Sequence, residues 1–201
     1  HNAQSFKIVS RIERKYARFD GLNLSFETLE GLVKHNGPLT GPCAVGRPQP
    51  ILLGVIEAEG LTGALRLDRF ASLEAQVAAL ADDIAYNNHD LDDGLRAGLI
   101  GPDDLADVGL VGPFAREALA TGSDRSRLVY EINRRLITAM VADVVGETRR
   151  NLAALGCRTP EEVAGAGRSI AQFSDELVAG LASLKSFLFA RVYRHPRVMS
   201  V

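Results

Sequence analysis

Cysteine is scarce: the chain has two, Cys43 and Cys157, far apart and in no metal-type spacing. A secreted chain stapled by disulfides would carry more, so free thiols in a reducing cytoplasm are the expectation. Charge of one sign is also lacking. Lys plus Arg number 23 against 25 Asp plus Glu, a formal net charge of −2. That balance gives no overall pull toward nucleic acid or an anionic membrane. No uninterrupted apolar run approaches the roughly 20 residues that span a bilayer. No basic start leads into an apolar core of the kind that marks a signal peptide. Strand alternation and internal repeats are absent as well.

What is present is an ordinary globular composition, 46% hydrophobic and 24% charged over 201 residues. That is enough for a sizeable core in one domain, or in a domain with a small appendage. The chain begins at His1 rather than Met, and its first residues already read as the interior of an amphipathic helix. The expectation is that sequence precedes it.

Most of the chain has helical period. Over residues 1–19, Phe6, Val9, Ile12 and Tyr16 recur at three- and four-residue spacing, and Asp20-Gly21 breaks the pattern. Ser25 is placed to cap a helix carrying Leu29, Leu32 and Val33, ended by His35-Asn36-Gly37-Pro38. Residues 37–50 read as a Gly- and Pro-rich surface loop, and residues 51–70 fit a short helix or a strand equally. Ser72 caps a long Ala-rich helix to about Leu99, with Gly101-Pro102 as its stop. Ser123 or Asp124 opens another, with Leu128, Ile132, Leu136, Met140 and Val144 inside. Thr159-Pro160-Glu161-Glu162 combines a cap, a first-turn proline and a capping-box Glu. Ser174 starts a last helix carrying Leu177, Leu181, Leu184 and Leu188. The expected fold is all-α, a multi-helix orthogonal or bundle-like core.

The helix over 72–99 holds the chemistry. At about 100° per residue, Leu73, Val77, Leu80, Ile84, Leu91 and Leu95 share one sector, the expected core face. Asp82, Tyr86, Asp90 and Asp93 line the opposite ridge, with Ala75 and Ala79 upstream on it. A solvated outer face is the ordinary reading of such a ridge. Against it, no Lys or Arg interleaves these acids, and stacked like charges cost a helix a few tenths of a kcal/mol per pair. A cation that neutralises them, such as a divalent metal, is the alternative.

The run Leu73-Glu-Ala-Gln-Val-Ala-Ala-Leu-Ala-Asp-Asp-Ile-Ala-Tyr86, continuing through His89-Asp90, resembles a helix of the HD-domain deoxynucleoside triphosphate triphosphohydrolases, the dGTPase-like family. His1-Asn-Ala-Gln-Ser5, Leu29-Glu-Gly-Leu-Val-Lys-His-Asn-Gly-Pro38 and Leu184-Lys-Ser-Phe-Leu-Phe-Ala-Arg-Val-Tyr-Arg-His-Pro-Arg197 are similar to other family segments, in the same order. The likeness is weakest across residues 43–68. It implies an HD-domain-like helical core, with residues 1–122 completing its C-terminal portion and 123–201 a helical region packed on it. It implies a metal held by a His, an adjacent His-Asp pair and a distant Asp. Only the last falls within this chain, as Asp82, with Asp83 as the alternative. It implies Tyr86 and Asp90 at the deoxyribose 3′-hydroxyl, Tyr130 near the nucleobase, and His1 as a candidate acid. A carboxylate with neutral imidazoles suits Mn, Fe or Mg.

The activity so implied is metal-dependent cleavage of a dNTP, dGTP-like, to deoxynucleoside and intact triphosphate. Alternatives are a nucleotidase of the HD family and a helical regulatory or assembly module without catalysis. A dNTP substrate, a nucleotide effector and a homo-oligomer are the implied partners, with no membrane and no indicated nucleic acid. Among the remaining residues, Lys34 and His35 are expected to cap or pack at the surface. His89 is expected in a polar role beside the ridge, and Arg125, Arg127, Arg134, Arg135, Arg149 and Arg150 as solvated helix-face charges.

Overall fold

A computed structural model describes residues 2–47 and 49–200. His1, Pro48 and Val201 lie outside the described residues, and with His1 the expected acid. The fold is all-α, as expected, and no strand occurs among the described residues. The helices are α1 (Asn2–Lys7), α2 (Phe26–Lys34), α3 (Pro50–Ala58), α4 (Leu73–Arg96), α5 (Gly112–Leu119), α6 (Arg125–Leu155), α7 (Pro160–Ala164), α8 (Asp175–Leu188) and α9 (Pro196–Met199). Contacts group the chain into two compact units. One holds the residues up to Ala79 with Arg150–Ala171, the other Leu80–Arg149 with the residues from Gln172 on.

In the first unit the core is Phe6, Leu29, Val33, Leu52, Ile56, Leu65 and Leu67. The first helix is shorter than its periodicity suggests. It passes into a π-helical turn, Ile8–Ile12, and stops. Returning chain ends it: Gly21 N–H donates to the Glu13 carbonyl at 2.7 Å and Leu22 N–H to the Val9 carbonyl at 2.8 Å. Tyr16, expected on the buried stripe, is 53% exposed in consequence. The ambiguous stretch resolves as α3, opened by Pro50 in its first turn, where a missing N–H costs nothing.

Lys34 is a correction. Its side chain is fully buried, with Nζ 2.5 Å from Glu30 Oε1 and donating to the Arg66 carbonyl at 2.9 Å. The four-residue spacing places both charges on one face of α2, and that face is turned inward. His35 behaves as expected, its Nδ1 lying 3.0 Å from the Leu32 carbonyl at the helix end.

In the second unit Ile84, Leu91 and Leu95 of α4 pack with Val129, Ile132, Leu136, Met140 and Val144 of α6 and with Leu177, Leu181, Leu184 and Leu188 of α8. Asp124, not Ser123, caps α6: its Oδ1 accepts from the N–H groups of Ser126 at 3.1 Å and Arg127 at 3.2 Å. Ser174 caps α8 by accepting from Leu177 N–H at 3.2 Å, and Asp143 in turn accepts from the Ser174 hydroxyl at 2.6 Å. Arg125 is a further correction. It donates to the carbonyls of Leu95 and Ile100 at 2.8 and 3.2 Å, adding a side-chain donor to the carbonyls where α4 ends.

Candidate active site

The site grows from α4, whose ends are both explained locally. Ser72 Oγ accepts from Ala75 N–H at 3.3 Å, the cap read from the sequence. Gly98 adopts φ +66°, and the N–H groups of Gly98 and Leu99 return to the carbonyls of Leu95 and Gly94 at 3.2 and 3.0 Å. That pair of bonds is the Schellman ending, which needs a left-handed residue.

The buried sector of α4 is broader than its apolar residues suggest. Gln76, Asn87 and Asn88 are buried with Ile84, Leu91 and Leu95, whereas Val77, expected in the core, is 41% exposed. Gln76 finds partners that no periodicity reveals, whereas the asparagines bond back to carbonyls of their own helix. Gln76 Oε1 accepts from Ser169 Oγ and from the N–H groups of Ile170 and Ala171, all at 2.8–3.0 Å. Asn88 donates to the Ile84 carbonyl at 2.7 Å. Val77 yields its place to this hydrogen-bonded edge.

The opposite ridge divides. Asp82, Asp83, His89 and Asp93 face solvent, and Asp90 is half-buried. Tyr86 and Asp90 line one wall of a cleft of about 450 Å³, with Lys185, Ser186, Leu188, Phe189 and Tyr193 across it. These come from α8 and from the π-helical turn that extends it, Phe189–Tyr193. Tyr193 donates its hydroxyl hydrogen to Asp90 Oδ2 and lies 3.5 Å, oxygen to oxygen, from the Tyr86 hydroxyl. Burial, then the bonds to Asp90 and Tyr86, push the Tyr193 phenol above its ordinary value. It stays protonated and acts as a donor.

The turn can approach because α4 has Gly94 there. A Cβ at Gly94 would lie 2.9 Å from Val192 Cγ2 and 3.2 Å from Ile100 Cδ1. Val192 is buried, so its neighbour Tyr193 is set against Asp90 by packing.

Tyr130 is not in this cleft. It lines a separate hollow of about 380 Å³ with Thr121, Ser123, Arg127, Leu128, Glu131 and Arg134. The Arg96 guanidinium lies 4.7 Å from its ring centroid, and Arg96 Nε lies 2.5 Å from Asp92 Oδ2. Arg134 and Arg135 both bond Glu131 at 2.7 Å, and their donation holds its carboxyl at about 2, far below the usual carboxylate range.

Whether these residues suit a metal follows from their donors. The Asp82 carboxylate makes no hydrogen bond or ion pair among the described residues, so it is free to ligate. No group of three or more His, Cys, Asp or Glu side chains able to hold an ion is assembled among them. Asp83 and Asp93 are exposed on the same ridge, and the described residues bring no second kind of donor to Asp82.

Of the expected site, the structure brings Tyr86 and Asp90 together. It leaves Asp82 on the open ridge, two helical turns from Asp90, and Tyr130 on another hollow. Tyr193 was not anticipated. It stands 103 residues from Asp90, beyond the reach of any local pattern.

The molecule is an all-helical protein with a cleft lined by tyrosines and a carboxylate. Over the whole chain it is 50% identical to a deoxyguanosinetriphosphate triphosphohydrolase-like protein of Sinorhizobium medicae, covering 50% of that protein. It is 49% identical, again over 100% of the chain and 50% of the relative, to deoxyguanosinetriphosphate triphosphohydrolase-like protein 1 of Mesorhizobium japonicum. A protein of the same description from Parvibaculum lavamentivorans is 48% identical over 98% of the chain and 50% of its own length. The chain thus spans about half the length of the curated relatives it matches. No family model matches it. No helix among the described residues is long and apolar enough to cross a membrane.

Proposed function

We propose that these residues form part of a metal-dependent deoxynucleoside triphosphate triphosphohydrolase of HD-domain type, which releases a deoxynucleoside and intact triphosphate. The observation that carries this is the cleft in which Tyr86 and Asp90 face Tyr193. It is supported by near-50% identity to relatives whose names state a triphosphohydrolase-like character.

Asp90 offers a carboxylate acceptor to a sugar 3′-hydroxyl, and Tyr86 a ring for the sugar face with a hydroxyl at its edge. Asp82, on the same ridge and open to solvent, supplies one ligand to a divalent ion, Mn, Fe or Mg. His and His-Asp ligands from elsewhere in the full protein complete the set. Such an ion supplies Lewis-acid polarisation of the α-phosphate. His1 is assigned to proton donation toward the leaving 5′-oxygen, and Tyr130, which lies outside the cleft, is left without a role there. The full protein is cytoplasmic and homo-oligomeric, responds to a nucleotide effector, and divides at residues 122/123 between catalytic core and C-terminal helical region.

The test is a product assay on the full-length protein with each dNTP and Mn²⁺. Triphosphate with deoxynucleoside supports the reading; orthophosphate released from monophosphates alone points to a nucleotidase; no turnover defeats it. Asp82→Asn should abolish turnover while far-UV circular dichroism stays unchanged. If Asp83→Asn does so instead, the register is one residue off.

A further inference from the structure

We propose that Tyr193 is the residue that positions Asp90, so that the C-terminal end of α8 sets recognition of the sugar 3′-hydroxyl. This rests on the assignment of Asp90 to that hydroxyl and extends it to a residue about 100 positions away. Three observations carry it. The Tyr193 hydroxyl donates to Asp90 Oδ2 and sits between that oxygen and Tyr86. The residue ends the π-helical turn that follows α8, and from there its hydroxyl reaches Asp90 on α4. Val192, seated on the bare backbone of Gly94, fixes how close that turn comes.

The chemistry follows from counting lone pairs. A carboxylate accepts on two oxygens. With Oδ2 held by Tyr193, Asp90 cannot swing freely about χ2, and Oδ1 remains for an incoming hydroxyl. A donor that restrains an acceptor before substrate arrives lowers the ordering cost of binding. A substrate lacking the 3′-hydroxyl gains nothing from that arrangement. Tyr193 therefore acts on discrimination between a deoxynucleotide and its dideoxy analogue, not on binding in general.

The experiment measures kcat/KM of the full-length protein for a dNTP and for the matching 2′,3′-dideoxynucleotide, in wild type, Asp90→Asn and Tyr193→Phe. Phenylalanine keeps the ring, whose edge meets Phe189 at 6.4 Å between centroids, and removes only the hydroxyl. The expected result is a roughly ten-fold or greater loss of kcat/KM for the dNTP in Tyr193→Phe, from loss of a hydrogen bond to a charged group. The dideoxy analogue should be nearly unaffected, so the ratio of the two falls by the same factor. If Asp90→Asn collapses the ratio and Tyr193→Phe leaves it intact, this inference is overturned and the site assignment stands. Equal losses on both substrates in Tyr193→Phe also overturn it. If wild type does not distinguish the two nucleotides, or cleaves neither, the assignment of Asp90 falls and the inference with it.

Discussion

Replacing Lys34 with Met should cost the protein about 3–5 kcal/mol, because it strips the partner from a buried carboxylate. The Glu30 side chain is 4% exposed and its Oε1 lies 2.5 Å from Lys34 Nζ. Methionine fills a similar volume, so cavity formation contributes little, and the loss is electrostatic. Two terms enter. Glu30 keeps only Arg66, at 3.5 Å and 39% exposed, which shields it weakly. The Arg66 carbonyl loses its donor, adding about 1–3 kcal/mol if it stays dry. Arg66 and local water relieve part of the sum, which places the expectation at the lower end of the range. Replacing both partners, as Glu30→Leu with Lys34→Met, removes the orphaned charge and should cost less than Lys34→Met alone. The assay is equilibrium urea unfolding of the full-length variants, with hydrogen exchange across Phe26–Lys34 to locate the change. A Lys34→Met cost under about 1 kcal/mol, or a double variant equal to the sum of the singles, refutes the reasoning. The pH dependence has a definite sign. Burial, which outweighs the bond to Glu30, lowers the Lys34 pKa from 10.5, so the unfolded chain binds more protons in the window just below 10.5. Its contribution to stability therefore rises with pH through that window, and Lys34→Met should abolish the rise.

Other outcomes can be measured on the same material. Gly98→Ala places a Cβ at φ +66° and should lower stability by about 1 kcal/mol, read as a drop in the urea midpoint at constant slope. Glu131, held at about 2 by hydrogen bonds from Arg134 and Arg135, favours the fold above pH 4.5 and loses that effect as pH falls toward 2. The stability difference between wild type and Glu131→Gln should therefore shrink over that interval; a difference that persists at pH 2 contradicts the pairing. Gln76→Leu leaves the N–H groups of Ile170 and Ala171 without an acceptor and should cost about 2–4 kcal/mol by the same unfolding assay. A loss under about 0.5 kcal/mol would show that water replaces the side chain.

The sequence by itself determined the class of fold and most helix termini. Those features depend on local chemistry: Ser25, Ser72 and Ser174 each accept a backbone N–H within three residues, and the period of α4 and α6 marks much of a core face. It also marked Tyr86 and Asp90, because a single helix turn sets their spacing. Only the tertiary structure decided that Gln76, Asn87 and Asn88 are buried while Val77 is not, and that Lys34 lies inside. For Gln76 and Lys34 a distant segment supplies the partner, Ser169 to Ala171 for one and the Arg66 carbonyl for the other, and a polar group's preferred side of a helix depends on that partner. Tyr193 belongs with these. A hydrogen bond between residues 103 positions apart has no signature in either neighbourhood, and it forms where the turn after α8 packs against the bare backbone of Gly94.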